Sequence, residues 1–316
     1  MKLNTTLRAA LASALLVTGA PSFAQQKVTV LLDWFINPDH APLLVAEQIG
    51  AFEKRGLDIE IVQPSDPSMP PRLLGAGQGD IAISYQPQLY MLAEQDLPVT
   101  RVATLVDSPL NVLASIEGKG IETIADLKGK KIGYSVSGVE EATLAAMLQS
   151  GGLSLDDVEM VNVNFQLVAS LLADRVDAVI GGYRNFEATE IRQQGYEPKM
   201  FLIEEHGVPM YDELIVLARK GEENSEMVKS FVAALKEGTA YLLEHPDETW
   251  EQFRVDYPDL DNELNKVAWK DTLPMFATDP GKLDTDRYQA YGDFLKEHDL
   301  ISPDVEIFDY AVDTSD

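Results

Sequence analysis

The chain has 316 residues, no cysteine, and 52 acidic against 25 basic side chains, for a formal charge of −27. That surface repels nucleic acid and anionic membranes, because both are polyanions and no basic cluster interrupts the acidity. Without cysteine there is neither a disulfide framework nor a lipoprotein anchor, and a chain of this length buries a large core without them.

Lys2 and Arg8 precede the apolar run Ala9 to Val17, and Ser22-Phe23-Ala24 puts small residues at the two positions a signal peptidase reads. Residues 1–24 therefore read as a secretory signal cleaved after Ala24, which takes the charge to −29 and delivers the protein to the periplasm. The apolar run is too short for a membrane span, and no later stretch approaches the ~20 apolar residues a span needs.

From Lys27 onward two patterns alternate. Strand-like runs at 28–32, 59–62 and 81–84 are separated by helix-like stretches at 42–50, about 70–78 and 87–95. A second series follows, with strands at 131–134, 159–163 and 177–181 and helices at 140–150 and 166–173. The order predicts an α/β fold with mostly parallel sheets covered by helices on both faces. Residues 73–85 and 171–183 echo each other as helix end, tight turn, Asp, apolar strand and Tyr, the pattern of two related lobes. Val102 to Ser115 leads out of the first lobe and Leu214 to Ala218 leads back. The remainder reads as helices at 224–244, 246–254, 261–270 and 284–298, a layer around the first lobe. Two crossings between lobes give a fold that can hinge closed on a ligand.

The stretch 33–50, DWFINPDHAPLLVAEQIG, carries the first candidate site. A strand delivers Asp33 and Trp34, a polar turn holds Asn37 and His40, and Pro42 opens a helix. Ligands of open α/β sheets bind beyond the carboxyl ends of strands. A capped turn with a packed Trp explains the same residues without a ligand.

The chain resembles the type II periplasmic solute-binding proteins of ABC importers through GAFEKRGLDIEI at 50–61, GAGQGDIAISY at 75–85 and LKGKKIGY at 127–134. Within them it is most similar to the branch of thiamine-pyrimidine-binding proteins and yeast-type pyrimidine synthases. DWFINPDH at 33–40, PSDPS at 64–68, SYQP at 84–87 and GGYRNFE at 181–187 carry that likeness. It implies a two-lobed fold, with 25–114 and 212–316 as lobe 1 and 115–211 as lobe 2. It implies a monomer that binds hydroxymethylpyrimidine or an N-formyl aminomethylpyrimidine between the lobes and delivers it to an ABC permease. A synthase of this branch carries a cysteine-rich segment before the return crossing; here that segment is His206 to Asp212, without cysteine, which argues against an enzyme.

The implied ligand is a flat heterocycle with an amine beside a ring nitrogen. Trp34 and Tyr183 are candidates to stack on it, with Tyr85 next, and Asp33 and Glu187 are candidates to accept its N–H groups. Glu187 lies one helical turn beyond Tyr183, so both face the cleft if that segment is helical. Ser135, Ser137 and Gly138 precede a helix whose free N–H groups suit a carbonyl, formyl or anionic group, unless Ser137 is a plain N-cap. The family motifs add Ser84, Gln86, Tyr134 and Asn185. Asn37 and His40 either touch ligand or brace the turn. A sulfonate, nitrate or riboflavin-like ligand is the alternative, but an anion would want basic residues, and the candidate segments offer only Arg184. No cofactor or metal is expected: the histidines have no ligand spacing, 256–263 lacks the glycine of a calcium loop, and nucleotide-loop and nucleophile-elbow motifs are absent.

Overall fold

A computed structural model describes residues 25–315 and builds them into two lobes. The proposed signal segment lies outside the described residues. The first lobe begins with β1 (Gln26–Leu31), α1 (Ala41–Gln48), β2 (Leu57–Val62), α2 (Pro70–Gly75), β3 (Ile81–Ser84), α3 (Gln86–Glu94) and β4 (Val99–Val106). The second contains β5 (Asn111–Ile116), β6 (Lys131–Tyr134), α4 (Val139–Ser150), β7 (Glu159–Asn162), α5 (Leu167–Leu172), β8 (Ala178–Tyr183), α6 (Glu187–Gln193) and β9 (Pro198–Leu202). The chain then returns through β10 (Leu214–Arg219) and ends in α7 (Glu226–Glu244), α8 (Pro246–Asp256), α9 (Glu263–Thr272) and α10 (Thr285–Glu297).

Each lobe has one five-stranded sheet, in the orders β2-β1-β3-β10-β4 and β7-β6-β8-β5-β9. Four strands of each sheet run one way, and the reversed strand is the one that crosses from the other lobe, β10 in the first and β5 in the second. β3 and β8, the strands of the internal echo, occupy the same place in their sheets. β5 pairs with β8 and β9, so the outgoing crossing is the segment 107–110. This corrects the expected lobe boundary at 114. The run 102–115 is apolar on both sides of Asp107-Ser108-Pro109, and strand pairing shows that the chain changes sheets there.

Side-chain alternation explains why the first sheet is buried on both faces. Val28, Val30 and Leu32 enter one core with Ile81, Ile83, Leu214 and Val216. Leu31, Ala82, Ile215 and Leu217 point to a second core, which continues into the other lobe through Leu113, Ile132 and Ile180. Helices α1 and α7 close the first face and α3 and α10 the second, as the C-terminal helical layer predicts. α1 and α7 approach closely because residue 238 is glycine: a Cβ there would lie 2.5 Å from that of Ala46. The carboxyl ends of β1 and β3 thereby face those of β7 and β8 across a cleft.

Candidate functional site

The cleft encloses about 310 Å³, at the small end of the range for small-molecule sites, and takes walls from both lobes. Asp33, Trp34, Asn37, Tyr85, Tyr183 and Glu187 line it, six of the residues expected from sequence.

The turn after β1 is locked by its own side chains. Asn37 Oδ1 accepts the Asp39 N–H at 2.8 Å, and the Asn37 N–H points at His40 Nδ1 at 3.3 Å. Because Nδ1 accepts, the ring proton sits on Nε2, which donates to Asp33 Oδ1 at 2.9 Å. The other oxygen of Asp33 accepts the Tyr85 hydroxyl at 2.9 Å. His40 is fully buried and holds Asp33 in place from behind, so of the two roles open to it the structure gives bracing.

Several expected residues stand outside the lining, each for a visible reason. Ser84 donates to Gln88, and Gln86 is spent on the Asp212 N–H and the Tyr90 hydroxyl beneath the return crossing. Tyr134 packs against the inter-lobe core. The start of α4 is already filled: the Ser135 N–H donates to Glu140 and the Gly138 N–H to Glu141, while the Ser135 hydroxyl donates to Asn164 O. Ser137 is not the N-cap; that position is Gly138, and the Ser137 N–H meets Ser68 Oγ of the first lobe at 3.3 Å. The helix start therefore offers no cradle to an anion. Arg184 is also committed, in a two-bond pair with Glu204 at 2.7 and 2.8 Å.

Asn185 lies behind the wall and ties the lobes together. Its amide donates to Asp39 Oδ1 and to Thr272 Oγ, each at 2.7 Å. Asp39 Oδ2 and Asn185 Oδ1 remain buried without partners. A second bridge is aromatic: Phe165, beyond β7, meets Trp34 edge-on with ring centres 4.6 Å apart and Phe35 at 4.5 Å.

The electrostatics are one-sided. Asp33, Asp39, Glu140, Glu187, Glu190 and Glu213 line the cleft, and no lysine, arginine or histidine does among the described residues. Burial pushes Asp39 up to about 6, Glu213 to about 7 and Glu187 to about 8, and holds Glu140 well above the usual carboxylate range. For Glu187 the N–H of Tyr183, 2.5 Å away, works against that rise, while the like charges of Glu190 and Asp39 add to it. Burial also raises the phenols of Tyr85 and Tyr183, so both stay protonated, and the Tyr183 hydroxyl is buried without a partner. The arrangement offers carboxyl groups, several of which keep their protons near neutral pH in the empty cleft, and aromatic faces. It presents acceptors and aromatic faces to a flat ligand, and no basic side chain to an anion among the described residues.

Phe165, Glu140 and Glu213 were missed from sequence. Phe165 has a faint signal, an aromatic just past a strand end, as Trp34 is past β1. Glu140 and Glu213 look like ordinary acidic residues at element ends, and only the fold brings them to the cleft. Asp39 stood inside the conspicuous turn but was not separated from its neighbours.

Residues 37–249 match the family profile described as NMT1/THI5 like. A Haemophilus influenzae protein named for thiamine biosynthesis is 47% identical, covering 93% of this chain and 94% of its own. A formylaminopyrimidine-binding protein of Halalkalibacterium halodurans is 36% identical over 75% of this chain and 73% of its own. A 4-amino-5-hydroxymethyl-2-methylpyrimidine phosphate synthase of Legionella pneumophila is 27% identical over 90% and 92%. A Candida albicans gene product solved with the generic periplasmic binding protein fold superposes with a TM-score of 0.71 at 22% identity, covering 91% of this chain and 96% of that one. The two-sheet architecture is thus the periplasmic binding protein fold, and the chain belongs to the NMT1/THI5-like family.

Proposed function

We propose that this protein is the substrate-binding component of an ABC importer, which captures a thiamine pyrimidine precursor in the periplasm and releases it to a permease. The single observation that carries this reading is the lining of the cleft: six carboxyl groups and a set of aromatic rings, without a basic side chain among the described residues. A 4-amino-2-methylpyrimidine presents an amine next to a ring nitrogen that gains basicity beside carboxylates. Asp33 and Glu187 accept its donors, and Trp34 and Tyr183 stack on its faces, one from each lobe. Charge-assisted bonds of roughly 1.5–3 kcal/mol and stacking of roughly 0.5–1.5 kcal/mol suit a small ligand.

Relatives named for thiamine biosynthesis and formylaminopyrimidine binding support the same ligand class. A sulfonate or nitrate would meet six carboxyl groups and no cation. This chain has no cysteine at its return crossing, and His40 is turned to Asp33. The reading is therefore transport, not catalysis.

A thermal-shift screen of the mature protein against thiamine, hydroxymethylpyrimidine, formylaminopyrimidine, taurine, nitrate and riboflavin tests it. A ligand at 100 times its Kd stabilises the folded state by roughly 2.7 kcal/mol, which a melt resolves. A shift with a pyrimidine is expected. Silence from every pyrimidine with a clear shift from an anion would overturn the reading, and pyrimidine binding unaltered by Trp34→Ala and Glu187→Gln would overturn the site.

A further inference from the structure

We propose that Glu213 is a third carboxyl contact beside Asp33 and Glu187, which accepts an N–H of the pyrimidine's substituent and excludes phosphate esters; this rests on the pyrimidine reading of the cleft. Glu213 sits on the return crossing just before β10 and is 2% exposed. All of its hydrogen bonds from protein go to one oxygen. Oε2 accepts the Leu110 N–H at 2.6 Å, the Asn111 N–H at 2.9 Å and the Tyr211 hydroxyl at 3.1 Å. Those donors come from both crossings, so the carboxylate staples the hinge. Oε1 receives no donor among the described residues, although Glu213 lines the cleft.

Oε1 opens on the cleft rather than being sealed in its wall, and the side chains around it supply acceptors rather than donors. Asn111 turns its Oδ1 to the Gly181 N–H at 3.1 Å. Glu140 approaches from the other side and is itself an acceptor of the Ser135 N–H. Gly181 leaves room for it: its φ is +92°, and a Cβ there would collide with the Glu140 carboxylate. The nearest cation of the candidate segments, Arg184, is bound to Glu204. In the empty protein solvent, or the proton that burial favours on Glu213, meets that oxygen, and an amine, ammonium or amide N–H of the ligand takes its place. A phosphate in the same place would face Glu140 and Glu213 together. Since the Oε2 side of the same group holds both crossings, filling Oε1 ties ligand occupancy to the hinge.

Glu213→Gln separates contact from staple. The Gln carbonyl keeps the three hinge donors, while its amide turns the cleft-facing acceptor into a donor at nearly constant volume. Calorimetric titration with formylaminopyrimidine is expected to weaken by at least about 30-fold (about 2 kcal/mol) in this variant, with an empty-state melt close to that of the parent. A variant that melts normally and binds within threefold of the parent would reduce Glu213 to a staple and overturn the proposal. A measurement on the unaltered protein guards against a folding defect: hydroxymethylpyrimidine phosphate should bind at least about 100-fold more weakly than hydroxymethylpyrimidine, and equal binding overturns the proposal as well. If the parent binds no pyrimidine, the functional reading falls and this inference with it; if it binds but ignores Glu213→Gln and the phosphate, only the inference falls.

Discussion

Raising the pH should destabilise the empty protein through Glu187, and Glu187→Gln should remove that effect. The folded state lifts this carboxyl from 4.5 to about 8, chiefly by burial. Between those values the folded chain holds a proton that the unfolded chain has released, so stability falls as pH rises. The contribution is complete below about 4.5 and is lost by about 8. A shift of that size, at 1.36 kcal/mol per unit, sets an upper limit of roughly 5 kcal/mol. In a chain of this size it corresponds to a fall in Tm on the order of 10 °C. Gln preserves the acceptor for the Tyr183 N–H and carries no charge, so it isolates the ionisation. The assay is a series of melts of ligand-free parent and variant from pH 5 to 9. The difference in Tm should widen in favour of Glu187→Gln as pH rises. A difference that stays flat across that range would show that the carboxyl is not desolvated, and the electrostatic account of the cleft would fail with it.

Asn185→Ala removes the cross-lobe bonds to Asp39 and Thr272; with roughly 1.5–3 kcal/mol for a bond to a charged group, closure should weaken and ligand affinity fall about tenfold or more, with a larger radius of gyration in X-ray scattering. Unchanged scattering and affinity would show that the tie contributes nothing to closure. Gly238→Ala forces a methyl against Ala46 at the α1–α7 contact and should cost roughly 1–3 kcal/mol, read as a lower midpoint in urea; an unchanged midpoint would mean that the helices separate freely.

What the sequence determined by itself was local. The apolar runs and helical patterns placed most strands and helices to within a few residues, as at 28–32 and 81–84, but not β9, and they read β4 and β5 as one run. The turn at 33–40 was visible because Asn37, Pro38 and His40 satisfy one another within a few residues. Tertiary structure decided what distant segments do to each other. It moved β5 into the second sheet, since pairing and not hydrophobicity assigns a strand to its sheet. It filled the start of α4 with Glu140 and Glu141, closing a cradle that the glycine and serines had suggested. It also brought Asp39, Glu140, Glu187 and Glu213, separated by up to 174 positions, into one cleft. In the sequence they are four acids among 52. Their altered proton affinities arise from desolvation, which depends on the walls that both lobes build around them, and no short stretch of chain contains those walls.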